Sequence, residues 1–320
     1  MCYSIQVAQS LKRLLRTLSV EMDYDEAERI FLQRLDNPTL NISRAFESNF
    51  DRPRNEVELR IKAAISEHRR RMAPDLQKEL VEEEQRFQAA QARLSVKFTK
   101  SADKQAGIAT RNIKRLREKM ADLTRPDLLP KDERLYPKMY GGFIIRRDVV
   151  NLLTPMRYYC RPSGTPASIE KEYPTLYNAR RDNLDRFWRR QFGHHHAIVV
   201  MDSFYEYVNL HDKEHRPLAS GEKAKRVELQ FTPESPEPML MACIWSRWIG
   251  DEESVRGAAV ITDDPTPEIA AAGHDRSPIA LRPENVEAWL TPAGRTVDEL
   301  QALLTDKQTT TYRHELAAAA

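Results

Sequence analysis

Cys2 stands directly behind Met1, and removal of Met1, usual before a small residue, would leave an α-amine and a thiol on adjacent carbons. Such a 1,2-aminothiol condenses with an aldehyde to a Schiff base, which the thiol closes to a thiazolidine. An α-amine titrates at about 7.7–8.0 and a free thiol at about 8.5, so both nucleophiles are partly available near neutrality. Three later segments carry further reactive groups. Residues 177–183 hold Asn178, Arg180 and Arg181, ahead of the basic stretch Arg186-Phe187-Trp188-Arg189-Arg190. Residues 203–207 place Glu206 after the apolar run 197–201, and residues 273–278 set His274 beside Arg276. Each group alone has an ordinary reading: Glu206 as a helix cap or arginine partner, His274 as a loop histidine, Asn178 as a turn residue.

The elements that must position these groups are of two textures. Residues 54–123 are charged and poor in glycine, with apolar positions at Val57, Ile61, Ile65, Met72, Leu76, Leu80, Phe87, Leu94 and Phe98, then Ile108, Ile113, Leu116, Met120 and Leu123. Those steps fit one helical stripe. A break and cap at Ser101-Ala102-Asp103 make it a long antiparallel helical hairpin. From residue 136 onward, short β-branched and aromatic runs at 143–145, 197–201, 227–231, 239–245 and 257–262 alternate with turns rich in Pro, Gly, Asp and Asn. With a strand-like start at Tyr3, Ile5 and Val7, the fold class is α+β. Its core is a mostly antiparallel or barrel-like sheet with flanking helices. No strand leads into a Gly-rich phosphate loop, which argues against a doubly wound sheet.

Composition narrows the function. The 320 residues are 41% hydrophobic and 31% charged with a net charge of +2, so nucleic-acid binding requires a local basic patch rather than a global one. Three separated cysteines, Cys2, Cys160 and Cys243, suit neither a disulfide framework nor a zinc site and point to a reducing cytoplasm. Cys160 and Cys243 read as core residues. The run His194-His195-His196 sends successive side chains to opposite faces if extended, so no metal or other cofactor is expected. No apolar run approaches the length of a membrane span.

The start Met-Cys, the Asn178-Ala179-Arg180 segment, the Phe204-Tyr205-Glu206 segment and the His274-x-Arg276-x-Pro278 segment, in that order, together resemble the SOS response-associated peptidase (SRAP) family, whose members shield abasic sites in single-stranded DNA. The resemblance covers roughly the first twenty residues and then 136–292. It implies a discontinuous SRAP domain, 1–50 and 126–305, a helical-hairpin insertion at 51–125, and a disordered tail at 306–320. It departs from the commoner pattern at Tyr3-Ser4, where Gly-Arg is usual, at Tyr207 where Trp is commoner, and at 155–159, in place of a Trp-Gly segment.

The implied chemistry is capture of a ring-opened abasic aldehyde by Cys2. His274 would assist ring opening, and its ordinary pKa of about 6.5 lets it give or take a proton near neutrality. Glu206 would shuttle protons around the carbinolamine, suited to both roles if burial raises its pKa. Asn178 would orient amine and sugar, since an amide cannot transfer the proton itself. Arg180 and Arg276 would hold phosphates, with Arg181, Arg186, Arg189 and Arg190 extending the track or in part lining a solvated helix face. Tyr158, Tyr159 and Trp188 would offer stacking faces for bases. Reversal and weak β-elimination are corollaries. The expected setting is cytoplasmic and nucleoid-associated, the expected state monomeric, and the expected partners abasic single-stranded DNA and a protein for the hairpin. Two readings compete: a peptidase with Cys2 as nucleophile and His274 as base, and a non-catalytic DNA-binding scaffold.

Overall fold

A computed structural model describes residues 3–9, 11–14, 18–250 and 253–317. Thirteen strands are formed among them: β1 (Ser4–Val7), β2 (Glu21–Met22), β3 (Arg134–Leu135), β4 (Tyr140–Arg147), β5 (Val150–Tyr158), β6 (Asn178–Arg180), β7 (His196–Asn209), β8 (Arg226–Pro233), β9 (Met239–Ile249), β10 (Ser254–Asp263), β11 (Ser277–Pro278), β12 (Ala280–Leu281) and β13 (Tyr312–Leu316). Five of them close on themselves in the order β9-β10-β5-β4-β7 and back to β9. The α+β, barrel-like core inferred from the sequence is the fold observed. All ring pairings are antiparallel except β10 with β5.

The ring strands explain their own composition. Residues 196–201 and 239–244 are buried without interruption, because the inward face fills the barrel and the outward face is covered. β7 is longer than its apolar run. After pairing with β9 as far as Met201 it continues against β8, from Phe204↔Phe231 to Asn209↔Arg226, with β1 on its other edge. Glu206 thus lies within a strand, not after one.

β5 is the longest strand that sequence reading missed, and its Pro155 argues against a central strand. Its ladder shows how the proline is tolerated. The Leu153 carbonyl accepts from the Asp23 N–H, so alternate residues 153, 155 and 157 direct their backbone groups away from β4. On that side β2 pairs at Leu152 and Leu153 and β10 at Arg157 and Tyr158. Pro155 falls in the gap between them, where no hydrogen bond is missing. Nearby, a Cβ on Gly257 would stand 2.2 Å from the Tyr159 carbonyl oxygen, so the approach of β10 to the end of β5 requires glycine.

Two expectations are corrected. The tail is not unstructured from 306: β13 pairs with β8 along its length, from Tyr312↔Pro233 to Leu316↔Leu229. Tyr312 is buried edge-on to Phe204, which anchors an otherwise charged segment. The hairpin break also lies earlier than Ser101: the helices run Glu56–Val96 and Lys100–Thr124, and the second is capped by Thr99, whose side chain accepts from the Ala102 N–H. The first helix runs through Pro74, which is exposed.

The chain divides into two compact units, one of Met1–Ile30, Thr39–Arg52 and Leu129–Ala320, the other of Phe31–Pro38 and Pro53–Leu128. The second holds a small core of its own, Leu76, Leu80 and Leu116, with Met72, Ile113, Met120 and Leu123 packed against it. Among the described residues no helix is long and apolar enough to cross a membrane.

Candidate functional site

Glu206 sits in the second half of β7, opposite Leu229 of β8 and 3% exposed. Its Oε2 lies 3.3 Å from His274 Nε2. His274 follows the helix Pro267–Ala271 through Gly273, whose φ of +88° is left-handed; a Cβ there would also press on Asp212 Cβ at 2.9 Å. Glycine therefore sets the turn that aims the imidazole. Nδ1 of the ring faces both backbone groups of Arg276, the N–H at 3.2 Å and the carbonyl oxygen at 3.0 Å. With a proton on Nε2 alone, Nδ1 accepts from the Arg276 N–H while Nε2–H points to the carboxylate. With both nitrogens protonated, Nδ1–H donates to the Arg276 carbonyl. Either state finds partners in one ring position, which suits a group that gives and takes protons.

The end of β10 collects the other two segments. On one edge β6 runs parallel to it, with Asn178 beside Val260 and Arg180 beside Thr262. On the other edge β11 places Pro278 beside Thr262 and Ser277 beside Asp263. Two ladder spacings of about 4.8 Å separate the outer strands, so the Asn178–Arg180 segment and the chain leaving His274 flank the same stretch of β10. Asn178 is buried.

The first described residues are held beside Glu206. β1 pairs with β7 at Ser4↔Tyr205, and the Tyr3 N–H donates to the Tyr205 carbonyl at 3.0 Å. Ser4 is fully buried and its Oγ accepts from Arg134 Nε at 2.9 Å and Nη2 at 2.8 Å. The Arg134 guanidinium lies 3.6 Å from the Tyr205 ring centroid, 4.7 Å from that of Tyr136, and is paired with Glu228. Tyr3 packs edge-on to Tyr207 at 4.9 Å. Cys2 lies outside the described residues. Arg134 escaped sequence reading; it occupies a two-residue strand with no periodicity to betray it.

The basic candidates separate. Arg180 is half-exposed and bound to Asp182, whose carboxyl it holds below the usual range. Arg276 is mostly buried, with Nη1 3.7 Å from Asp264. Arg186 is exposed. Arg181 instead clasps the helix Val297–Thr305: Nε donates to Gln301 Oε1 at 2.9 Å, Nη2 to the Gln301 carbonyl at 3.0 Å, and Nη1 to Asp263 at 3.1 Å. The aromatic stacking faces are a correction. Tyr158 and Tyr159 are 0% exposed and Trp188 3%, so these rings are core and have no face to offer a base.

The three histidines also part. His196 is buried, stacked on Trp289 at 3.9 Å, accepting from the Gly193 N–H at Nε2 and donating from Nδ1 to the Trp289 carbonyl. Burial pushes its pKa down to about 3. His195 lies against Trp245. Cys160 and Cys243 are fully buried, and burial pushes the Cys160 thiol up to about 12. Among the described residues no cluster of His, Cys, Asp and Glu is arranged to hold a metal.

Comparison with known proteins gives two bacterial relatives. An abasic site processing protein of Bacillus subtilis, YobE, is 29% identical over 140 residues, 43% of this chain and 59% of that protein. A second from the same organism, YoaM, is 28% identical over 141 residues, 43% of this chain and 57% of that protein. The chain thus spans under two thirds of the curated relatives it matches. A crystal structure of a protein from Bacteroides thetaiotaomicron superposes with a TM-score of 0.45 at 19% identity, covering 57% of this chain and 75% of that one. The sequence model of the SOS response associated peptidase (SRAP) family matches residues 71–318, and the chain belongs to that family.

Proposed function

We propose that the protein captures abasic sites in single-stranded DNA as a covalent adduct through Cys2 after Met1 is removed. The observation that carries this reading is the buried Glu206–His274 couple beside the anchored first strand. Tyr3, the residue that follows Cys2 in the sequence, is held on β7 at Tyr205, the neighbour of Glu206. The names of the two Bacillus relatives support the substrate class.

The α-amine adds to the C1′ aldehyde and loses water to give a Schiff base. The Cys2 thiol then adds across the C=N bond, closing the thiazolidine. Glu206 moves protons between amine, carbinolamine oxygen and ring nitrogen, His274 serves the sugar oxygen during ring opening, and Asn178 orients the amine. Arg180 and Arg276 bind flanking phosphates. Consuming the aldehyde suppresses β-elimination, and a Schiff base that fails to close is the source of weak lyase activity. The same couple serves the slow reversal.

The test is intact mass and denaturing gel mobility after mixing the protein with uracil-excised single-stranded DNA. A heat-stable adduct with wild type, lost with Cys2→Ala, is the expected result. No adduct from protein whose mass shows Met1 gone overturns the reading.

A further inference from the structure

A second basic feature lies at the other end of β7. An open groove of about 1060 Å³ is lined by Arg146, Arg189, Arg190 and Arg295, with His194 and His195 on its wall. Gly193 and Gly294, at φ of +83° and +82°, turn the two loops that frame it. Its charge is lopsided. Asp148 is the acid in the lining, and Glu287, 75% exposed, pairs with Arg146 at 3.3 Å. Arg190 Nη1 donates to the Ser163 carbonyl. Arg189 and Arg295 are exposed; among the described residues neither takes part in a close ion pair, although Glu299 acts electrostatically on Arg295. In a chain whose net charge is only +2, four guanidiniums on one groove are a local concentration that needs a polyanion to match it.

We infer that this groove binds the phosphate backbone of single-stranded DNA as a second site, apart from the Glu206–His274 couple. Guanidinium forks fit phosphate oxygens. His195 on the groove wall, backed by Trp245 at a tilt of 53° with centroids 4.8 Å apart, offers one ring as a platform beside the arginines, and arginines with interleaved aromatics hold single strands without reading sequence. A free phosphate would use the forks but not the platform. From His196 to Glu206 the strand advances ten steps of about 3.3 Å, so the two sites stand up to about 33 Å apart along β7. A strand seated at the couple reaches the groove only if it continues well beyond the lesion. The inference rests on the reading of the protein as one that engages single-stranded DNA.

The experiment separates the two sites by DNA length. Binding of unmodified strands of about 6 and about 30 nucleotides, the first within the site size of one groove, is followed by fluorescence anisotropy against salt. Wild type is compared with Arg189→Glu/Arg295→Glu and Arg189→Lys/Arg295→Lys. The charge reversal is expected to weaken the long strand about tenfold and flatten its salt dependence by about 1.4, two phosphate contacts at about 0.7 each. The lysine pair keeps the slope. Adduct yield on a short abasic strand stays at the wild-type level in both. Equal affinity and slope for wild type and the charge reversal on the long strand overturn the inference. Because the binding arm uses DNA without lesions, failure of the groove and failure of the Cys2 chemistry give different results.

Discussion

Proton handling is concentrated at two histidines that the fold treats oppositely. His274 keeps a partner for Nδ1 in either protonation state, and His274→Ala is expected to slow adduct formation at pH 7 about 100-fold or more, read by gel time course. His196 is locked neutral. Its folded pKa of about 3 lies below the unfolded value of about 6.5, so between those values the unfolded chain binds more protons. Stability therefore falls as pH drops from 6.5 toward 3, by up to about 1.4 kcal/mol per pH unit. Urea unfolding at pH 7 and pH 5 should show a loss of about 2 kcal/mol from this group. His196→Phe should flatten that loss while costing about 1–3 kcal/mol at pH 7 through the orphaned Gly193 N–H and Trp289 carbonyl. The residue types at the site were readable in the sequence, but its contacts were not. Nothing near Glu206 foretells His274, because the two meet only after β10 and β11 turn the later segment back. Nor does any local pattern mark Arg134 as the partner of Ser4.

Strands with unbroken apolar runs, such as 197–201 and 239–244, were legible because burial on both faces leaves a compositional mark. β5 and β13 were not. The first carries a proline tolerated only because its two outer neighbours leave a gap there; the second, paired along β8, buries only Tyr312 of its five residues and exposes Arg313, His314, Glu315 and Leu316. At this scale Gly257→Ala is the sharpest test, since its Cβ would meet backbone rather than a side chain that can move. A loss of about 3 kcal/mol in urea unfolding is expected. Arg181→Ala should lower stability by about 1–3 kcal/mol and strip exchange protection from Leu300 and Leu304, the buried residues of the helix it clasps.

Across the whole chain, each compact unit has its own hydrophobic centre. Leu116→Ala should cost the helical unit about 2–4 kcal/mol. Hydrogen exchange should report it in 72–123, with barrel amides and adduct formation on short DNA unchanged. The position of β1 has a mechanical meaning. It lies between β7 and β3, antiparallel to both, with hydrogen bonds running across its axis. A pull on the chain ahead of Tyr3, where it acts along the strand axis, would load those bonds together in shear instead of peeling them one at a time. The adduct would then resist extraction by force, and its removal would fall to chemistry or proteolysis.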